Sequence, residues 1–163
     1  MESGDNPRPR GPDYPERDLF LGVFQHNIDD KGRLAIPAKF RPSVAEGFVM
    51  SFGLDRCLYV WQRDQWNDLA EKLAKMPMMN PDARRVARHF FAGATETSLD
   101  KLGRVVIPQI LRDYAGLRGE VVVAGMPNRL EIWSQESWDE ERSRVAENSS
   151  TFAEHLAAAG ISI

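Results

Sequence analysis

The sequence predicts an α+β, β-rich protein made of two tandem β–β–α–β–β halves with added helices. The first observation is an internal repeat: IDDKGRLAIPAKFR at residues 28–41 returns as LDKLGRVVIPQILR at residues 99–112, seventy-one positions later. The second is that short β-branched and aromatic runs, bounded by turn residues, recur in the same order in both copies. A chain of 163 residues with 42% hydrophobic content can form one compact core, which the two halves are expected to share.

The repeat spans nearly the whole chain. One inserted residue near Gly119 shifts the offset by one, after which Trp61 and Trp66 match Trp133 and Trp138. Self-similarity of this extent indicates two copies of one structural unit. The residues that match at the first offset are Phe20 and Phe91, Gly22 and Gly93, Asp29 and Asp100, Gly32 and Gly103, Arg33 and Arg104, Ile36 and Ile107, Pro37 and Pro108, and Arg41 and Arg112.

The first elements of each half are predicted to be a β-hairpin and a short helix. The run from Phe20 to Ile28 is typical of a strand, DDKGR supplies turn residues, and LAI predicts a short second strand. The hairpin therefore has a charged tip. Pro37 is suited to the first turn of a helix, where its missing N–H costs nothing, and Phe40 and Val44 lie on one face of the segment that follows.

Two further strands complete each half. In the first half FVMSFG and CLYVW flank a turn at residues 54–56, and in the second VVVAG and LEIW flank a turn at residues 126–129. Cys57, the single cysteine, lies at the start of one of these runs and is expected to be a small buried hydrophobic residue.

Helices are predicted to pack on these strands. Asp64 is a candidate N-cap for a helix whose apolar residues recur at three- and four-residue spacing, and the second half continues this pattern more weakly. The apolar positions are Trp66, Leu69, Leu73 and Met76 in the first half, and Trp138 and Val145 in the second.

A connecting helix and a C-terminal segment complete the chain. Asn80 and Pro81 suit the N-cap and first position of a helix that runs to about Phe90. After Glu147 the helical signals weaken, although FAEHLAAAG predicts a short helix capped by Gly160.

These elements divide the chain into four segments. Residues 1–18 are rich in Pro, Gly and charge, so burial cannot offset their chain entropy and they are predicted to be a disordered tail. The first repeat with its packing helix occupies residues 19–79, and the connecting helix with the second repeat occupies residues 80–147. Residues 148–163 are predicted to form a C-terminal tail or short helix.

The composition argues against several classes of protein. No run approaches the roughly 18–20 apolar residues of a membrane span, so a soluble, intracellular protein without a membrane partner is expected. His26, His89 and His155 are scattered, and the chain has no Gly-rich phosphate loop and no nucleophile motif. We therefore expect no enzyme, catalytic residue, metal, cofactor or small-molecule substrate. The formal net charge of −3 requires any nucleic-acid role to come from concentrated basic sites.

The charged residues that recur in both copies of the repeat lie at the two hairpin tips. Each tip places an aspartate four residues before an arginine, with a glycine directly before that arginine: Asp29 with Arg33, and Asp100 with Arg104. In one copy this is most simply an exposed ion pair that braces a turn, worth about 0.2–1 kcal/mol. Its presence in both copies favours a further role, because a guanidinium oriented by a carboxylate can contact a phosphate or a guanine edge.

Other basic and aromatic residues have more ordinary interpretations. A second tier of basic residues could extend a binding surface or pack their aliphatic stems, namely Lys39, Arg41 and Arg112. Three arginines of the connecting helix are more typical of a solvated face, with phosphate binding or subunit contact as alternatives: Arg84, Arg85 and Arg88. The repeated tryptophans are predicted to be core residues rather than base-stacking platforms.

The tip motif as a whole resembles the MraZ family. DxxxR, followed by a short strand and an Ile-Pro helix start, occurs twice with the family's spacing, and the similarity covers roughly Asp18 to Val145. That family belongs to the AbrB-like (looped-hinge), swapped-hairpin transcription regulators. The resemblance implies two AbrB-like halves that exchange hairpins as an intramolecular pseudo-dimer, because one half cannot close its sheet alone.

The resemblance also implies a function and its residues. It implies a cytoplasmic, nucleoid-associated regulator of the division and cell-wall gene cluster that binds repeated promoter boxes in double-stranded DNA as a ring-shaped homo-oligomer. The DNA-binding residues it implies are Asp29, Lys31, Gly32 and Arg33 in the first half, and Asp100, Lys101, Gly103 and Arg104 in the second. The second copy departs from the first, because its lysine precedes Leu102 and so stands one position earlier.

An alternative function follows from the same fold class. AbrB-like folds resemble antitoxins, which hold a partner protein through an attached tail, and residues 1–18 and 148–163 could serve as such tails.

Overall fold

The computed structural model describes residues 20–163, so the tail predicted at residues 1–18 lies outside the described part of the chain. Within residues 20–163 the strands are β1 (Val23–Ile28), β2 (Arg33–Ala35), β3 (Phe48–Phe52), β4 (Leu58–Gln62), β5 (Thr95–Thr97), β6 (Arg104–Val106), β7 (Gly119–Met126) and β8 (Arg129–Ser134). The helices are a 3₁₀ helix at Arg41–Val44, α1 (Arg63–Ala74), α2 (Pro81–Ala92), α3 (Gln109–Ala115) and α4 (Gln135–Ala158). The α+β, β-rich class is confirmed.

The two halves are joined by strand pairing. A six-stranded antiparallel sheet has the order β1-β7-β8-β4-β3-β5, so the first strand of each half pairs with the third strand of the other half. Strands β4 and β8 meet at the centre, where Tyr59 lies opposite Glu131. Each half therefore supplies backbone partners that the other half's strands need.

A separate two-stranded ribbon pairs the second strands of the two halves. Strands β2 and β6 run antiparallel, with Leu34 opposite Val105 and Arg33 opposite Val106. Leu34 and Val105 are both buried, whereas Arg33 and Arg104 are partly exposed. Because successive side chains in a strand point to opposite faces, the ribbon has one core face and one outer face.

Two apolar cores lie on the two faces of the large sheet. One core lies between the sheet and the ribbon with its flanking helices, and it contains Leu34, Phe40, Val105 and Leu111. The other lies beneath the α1, α2 and α4 layer and contains Trp61, Leu73, Phe90 and Trp133. The tryptophans of these strands are thus core residues, as predicted.

The predicted hairpins differ from the observed pairing. The first loop closes as a hairpin turn does, since Asp29 N–H donates to the Arg33 carbonyl at 3.1 Å. However, the flanking strands pair with β7 and β6 of the other half rather than with each other. A three-residue strand forms too few hydrogen bonds to be stable by itself, so the backbone groups of β2 and β6 pair across the two halves.

Several helix boundaries also differ from the prediction. Pro37 lies in a turn before the 3₁₀ helix, and Pro108 is the N-cap of α3, so neither proline occupies the first helical turn. The N-cap of α1 is Gln62, and Asp64 lies within the first turn. Asn80 caps α2 as predicted, because its side chain accepts from two backbone N–H groups.

The C-terminal part of the chain is more helical than the sequence predicted. Helix α4 runs over 24 residues and crosses the boundary predicted at residues 147 and 148, with a non-helical residue at Asn148. Val145 was expected to pack on the sheet, yet it is exposed. Within residues 20–163, no helix is both long and apolar enough to span a bilayer.

Candidate nucleic-acid interface

The loop between β1 and β2, called tip 1 and comprising residues 29–33, is organised by one carboxylate. Oδ1 of Asp29 accepts from the backbone N–H of Lys31 at 3.0 Å and of Arg33 at 2.8 Å. Oδ2 accepts from Nε of Arg33 at 2.6 Å. Nε uses one of the five guanidinium N–H donors, and no acceptor in residues 20–163 takes the other four.

The loop between β5 and β6, called tip 2 and comprising residues 100–104, repeats this geometry. Oδ1 of Asp100 accepts from the N–H of Leu102 at 2.9 Å and of Arg104 at 2.8 Å, and Oδ2 accepts from Arg104 Nε at 2.9 Å. Leu102 therefore occupies the place of Lys31, and Lys101 stands one position earlier on the loop. The aspartate and arginine geometry is common to both tips, whereas the position of the lysine is not.

The aspartates are held in their charged form by these contacts. The backbone N–H of Arg33 is the main cause that lowers the pKa of Asp29 below its usual value, followed among the lowering causes by the Arg33 side chain. The N–H and side chain of Arg104 lower the pKa of Asp100 in the same way. Both ion pairs are consequently formed at neutral pH.

Each tip is anchored by the other half. The carbonyl of Gly32 in tip 1 accepts from the N–H of Ile107 at 2.8 Å, and the carbonyl of Gly103 in tip 2 accepts from the N–H of Ile36 at 2.9 Å. The tips are therefore fixed at the two ends of the ribbon by reciprocal contacts across the two halves.

Two further arginines press against the tip glycines. Arg41 donates from Nε to the Ile36 carbonyl at 2.8 Å, and Arg112 donates from Nε to the Ile107 carbonyl at 2.9 Å. A Cβ added at Gly32 would lie 2.8 Å from the Arg112 guanidinium, and one at Gly103 would overlap Arg41. Both glycines have φ near +75°, at +76° and +74°, so backbone conformation and close approach both require glycine.

The outer face of the ribbon brings the motif arginines together. Arg33 and Arg104 lie diagonally across β2 and β6, since Arg33 pairs with Val106 and Ala35 pairs with Arg104. Strand spacing and rise place their Cα atoms roughly 8 Å apart. Val106 is exposed between them, so this face presents two oriented guanidinium groups around a small apolar centre.

Comparison with known proteins agrees with the duplicated motif. The sequence profile of the family described as "MraZ protein, putative antitoxin-like" matches this chain twice, over residues 19–89 and over residues 90–158. The chain belongs to the MraZ family.

Curated relatives agree over most of the chain. "Transcriptional regulator MraZ" of Natranaerobius thermophilus is 44% identical over 138 residues, which is 85% of this chain and 96% of the relative. The protein of the same name from Clostridium tetani is 47% identical over 122 residues, covering 75% of this chain and 86% of the relative. That of Roseiflexus castenholzii is 45% identical over 139 residues, covering 85% and 97%.

Of the predicted site residues, Arg33 and Arg104 come together on one face of the ribbon, and the sequence analysis gave too little weight to two neighbouring arginines. Arg41 and Arg112 were assigned to a second tier, although each braces the tip of the opposite half. Their recurrence at equivalent repeat positions was the signal, but only the strand exchange shows which tip each one contacts.

Other basic and polar candidates lie away from this surface. The connecting-helix arginines Arg84, Arg85 and Arg88 belong to α2, which packs through Phe90 on the sheet face opposite the ribbon. His89 contacts the Gly53 carbonyl through Nε2 at 2.8 Å. Within residues 20–163 no group of three or more His, Cys, Asp or Glu side chains is arranged to hold a metal ion.

Proposed function

We propose that this member of the MraZ family is a sequence-specific, double-stranded-DNA-binding regulator of transcription rather than an enzyme. The observation that carries the proposal is the outer face of the β2–β6 ribbon, where Arg33 and Arg104 are held by aspartates and retain free donors. Relatives 44–47% identical to this chain bear the name "Transcriptional regulator MraZ".

A two-stranded ribbon is a suitable shape for reading DNA. The major groove is about 12 Å wide and admits either an α-helix or a two-stranded β-ribbon. An arginine that offers two terminal N–H groups can bond O6 and N7 of guanine together. Arg33 and Arg104 would make these contacts, and the fixed tips would spare them the entropy of ordering on binding.

The remaining motif residues support this surface. Asp29 and Asp100 orient the arginines, while Gly32 and Gly103 permit the tight tips and the close approach of Arg112 and Arg41. Lys31 and Lys101 would contact phosphates, which fix orientation without reading sequence. Their different loop positions would give the two tips different phosphate contacts.

The strand exchange supports an intramolecular swapped-hairpin pseudo-dimer of two AbrB-like halves. Pairing of β1 with β7, β5 with β3 and β2 with β6 is the exchange that such a pseudo-dimer requires. Since the ribbon contains one strand from each half, one chain would present a two-fold-like reading surface without a partner.

Assembly into a ring would strengthen binding. We propose a cytoplasmic, nucleoid-associated homo-oligomer that displays several ribbons to repeated promoter boxes of the division and cell-wall gene cluster. Linked weak sites can raise apparent affinity on the order of 10²- to 10⁴-fold through effective concentration. This would allow a chain of formal net charge −3 to bind DNA through local basic sites.

The test is fluorescence anisotropy with duplex DNA from upstream of the protein's own gene, beside scrambled DNA, across a salt series. We expect specific binding whose affinity falls steeply with salt, because phosphate contacts release counterions. Arg85→Ala is the matched control, since Arg85 is exposed and pairs with Asp82 on α2, away from the ribbon. Equal or absent binding to both duplexes at every salt concentration would overturn the proposal.

A protein-interaction module remains a second candidate because the second part of α4 is exposed. The description of the matching family includes the term antitoxin-like, and residues 148–158 of α4 bury no side chain. A partner protein held through this tail by apolar contacts would bind with little dependence on salt, which separates this function from DNA binding.

A further inference from the structure

The helical layer differs between the halves, and the difference leaves a cavity. In the first half, α2 covers the sheet: the Phe90 ring lies 6.1 Å from that of Tyr59 and 6.5 Å from that of Trp61. Phe91 lies 5.2 Å from Trp66. The chain thus folds back after α1 and places two aromatic rings over the tryptophan pair.

The second half has the same tryptophan pair without that cover. The rings of Trp133 and Trp138 are 5.7 Å apart, close to the 6.2 Å between Trp61 and Trp66. A cavity of about 530 Å³ adjoins them, bounded by β8 and α4. Val145 in its wall is 46% exposed, whereas its repeat equivalent Leu73 is 8% exposed.

The polar groups in the cavity floor are already paired. Glu131 accepts from Arg129 Nη2 at 2.7 Å and from Trp133 Nε1 at 3.2 Å. The Arg129 guanidinium also lies over the Tyr59 ring, 4.3 Å from its centroid. Because these charges have partners, the floor favours an apolar occupant over a free ion.

The repeat identifies a segment that fits this place. The offset that matches Trp61 with Trp133 maps α1 onto residues 135–146 and the following turn onto residues 147–152. Asn148, with φ −127°, interrupts the helix where the first half has that turn. Residues 153–163 stand in the place of α2, and residues 149–163 are called the tail segment. The tail segment carries exposed apolar side chains at Phe152, Leu156, Ile161 and Ile163.

The tail segment does not lie in the cavity of its own chain. The helix resumes beyond the kink at Asn148, and every residue of the tail segment is exposed. We propose that the tail segment of one copy docks in the cavity of a second copy, where it takes the place that α2 occupies in the first half. The inference rests on the homo-oligomer of the proposed function.

This contact joins two different surfaces and is therefore heterologous. Each copy would donate one tail segment and accept another, which closes into a ring when the rotation per subunit permits. A tail segment that folds back at Asn148 onto its own cavity is the competing arrangement, and the experiment separates the two.

The experiment uses cysteine cross-linking of the full chain. Native Cys57 is buried and burial raises the pKa of its thiol, so it stays unreactive. Val145→Cys and Leu156→Cys proteins are mixed under mild oxidation, with Val86→Cys as control, since Val86 is an exposed apolar residue of α2. We expect the 145–156 pair to cross-link between chains at least tenfold faster than the 86–156 pair.

Two outcomes would overturn the inference. The first is equal rates of cross-linking for the 145–156 and 86–156 pairs. The second is a cross-link within a single chain in the Val145→Cys, Leu156→Cys double variant, because that would show that the tail segment folds back onto its own cavity. In sedimentation experiments we expect Leu156→Asp to weaken self-association at least tenfold, with Val86→Asp unchanged and far-UV circular dichroism preserved in both.

Failure of this inference can be told apart from failure of the proposed assembly. An oligomeric wild type without the 145–156 cross-link would overturn the tail contact alone. A monomeric wild type at all concentrations would overturn the tail contact and the ring together. Anisotropy with a single-box duplex reports the ribbon separately, since no tail residue lies on it.

Discussion

The two halves of the chain agree at their tips and differ in their helical layers. At the tips, the Arg33 and Arg104 N–H groups lie at the same 2.8 Å from their aspartates, and the glycines differ by two degrees in φ. In the helical layer, Leu73 is buried beneath a returning helix while Val145 is exposed beside an open cavity.

The difference follows from what each region contacts. The tips build one shared ribbon, so a change in either tip alters the surface that both halves form. The helices of that layer lie on one face of the sheet, where α1 and α2 contact strands of the first half and α4 contacts strands of the second, so they need not match for either half to fold. A duplicated unit therefore stays symmetric where its copies act together and diverges where each has its own surroundings.

The largest effect is expected from removing the motif arginines. Arg33→Ala or Arg104→Ala should each cost about 1–3 kcal/mol of specific binding free energy, and the double variant more than either, because each removes a guanine contact. The thermal midpoint and oligomer size should hardly change, since both side chains are partly exposed.

Anisotropy on specific and scrambled duplexes checks this prediction. An unequal loss of affinity for the specific duplex in the two single variants would show that the two tips do not contribute equally to DNA binding. Loss of folding in either variant would contradict the assigned role, because it would make the arginine structural.

Replacement of either tip glycine by alanine should destabilise the protein, and by the same amount at both tips. Gly32→Ala and Gly103→Ala should each lower the free energy of unfolding by about 2–3 kcal/mol, through positive φ and overlap with the opposite arginine. Gly116→Ala is the control, because its φ is +63° but the space around it is open, and about 1 kcal/mol is expected. Urea unfolding measures all three, and equal values for tip and control would refute the clamp by Arg41 and Arg112.

The lysine position offers a way to make the tips more alike. Leu102→Lys places a lysine where the first tip has Lys31, and we expect the slope of log affinity against log salt to steepen by about 0.9, as one phosphate contact is added. Lys31→Leu should flatten it by a similar amount. Salt titrations of both variants check this, and an unchanged slope in each would exclude these sites from phosphate contact.

The smallest expected effect is a shift in acid titration. The pKa values of Asp29 and Asp100 should lie below the usual aspartate value. Because the folded state lowers these pKa values, the ion pairs stabilise the fold at pH values above the unfolded-state pKa of about 3.9. That contribution is lost as the pH falls through the folded-state pKa. Carboxyl carbon NMR titration measures both groups, and Asn substitution of Arg33 should raise the pKa of Asp29 alone.

The sequence by itself determined the duplicated architecture and the identity of the tip residues. The repeated DxxxR with its glycine is a local pattern, and local backbone chemistry places the aspartate on the N–H groups of its own loop. The strands after each tip were likewise evident from their β-branched and aromatic runs. The division at residues 79 and 80 and the roles of the site residues stay predictions.

Only the tertiary structure decided what the tips and helices contact. The residue pattern predicted a hairpin in each half, and the family resemblance implied that the halves exchange hairpins. Period-two patterning alone cannot show whether a strand pairs with its neighbour or with an equivalent strand of the other half. Arg41 lies against Gly103, and Arg112 lies against Gly32, because the strands of the two halves are exchanged. The cavity beside Val145 could not be predicted from the sequence either. It exists because the chain continues as a helix after the first three turns of α4, whereas after α1 the chain turns back and covers the sheet.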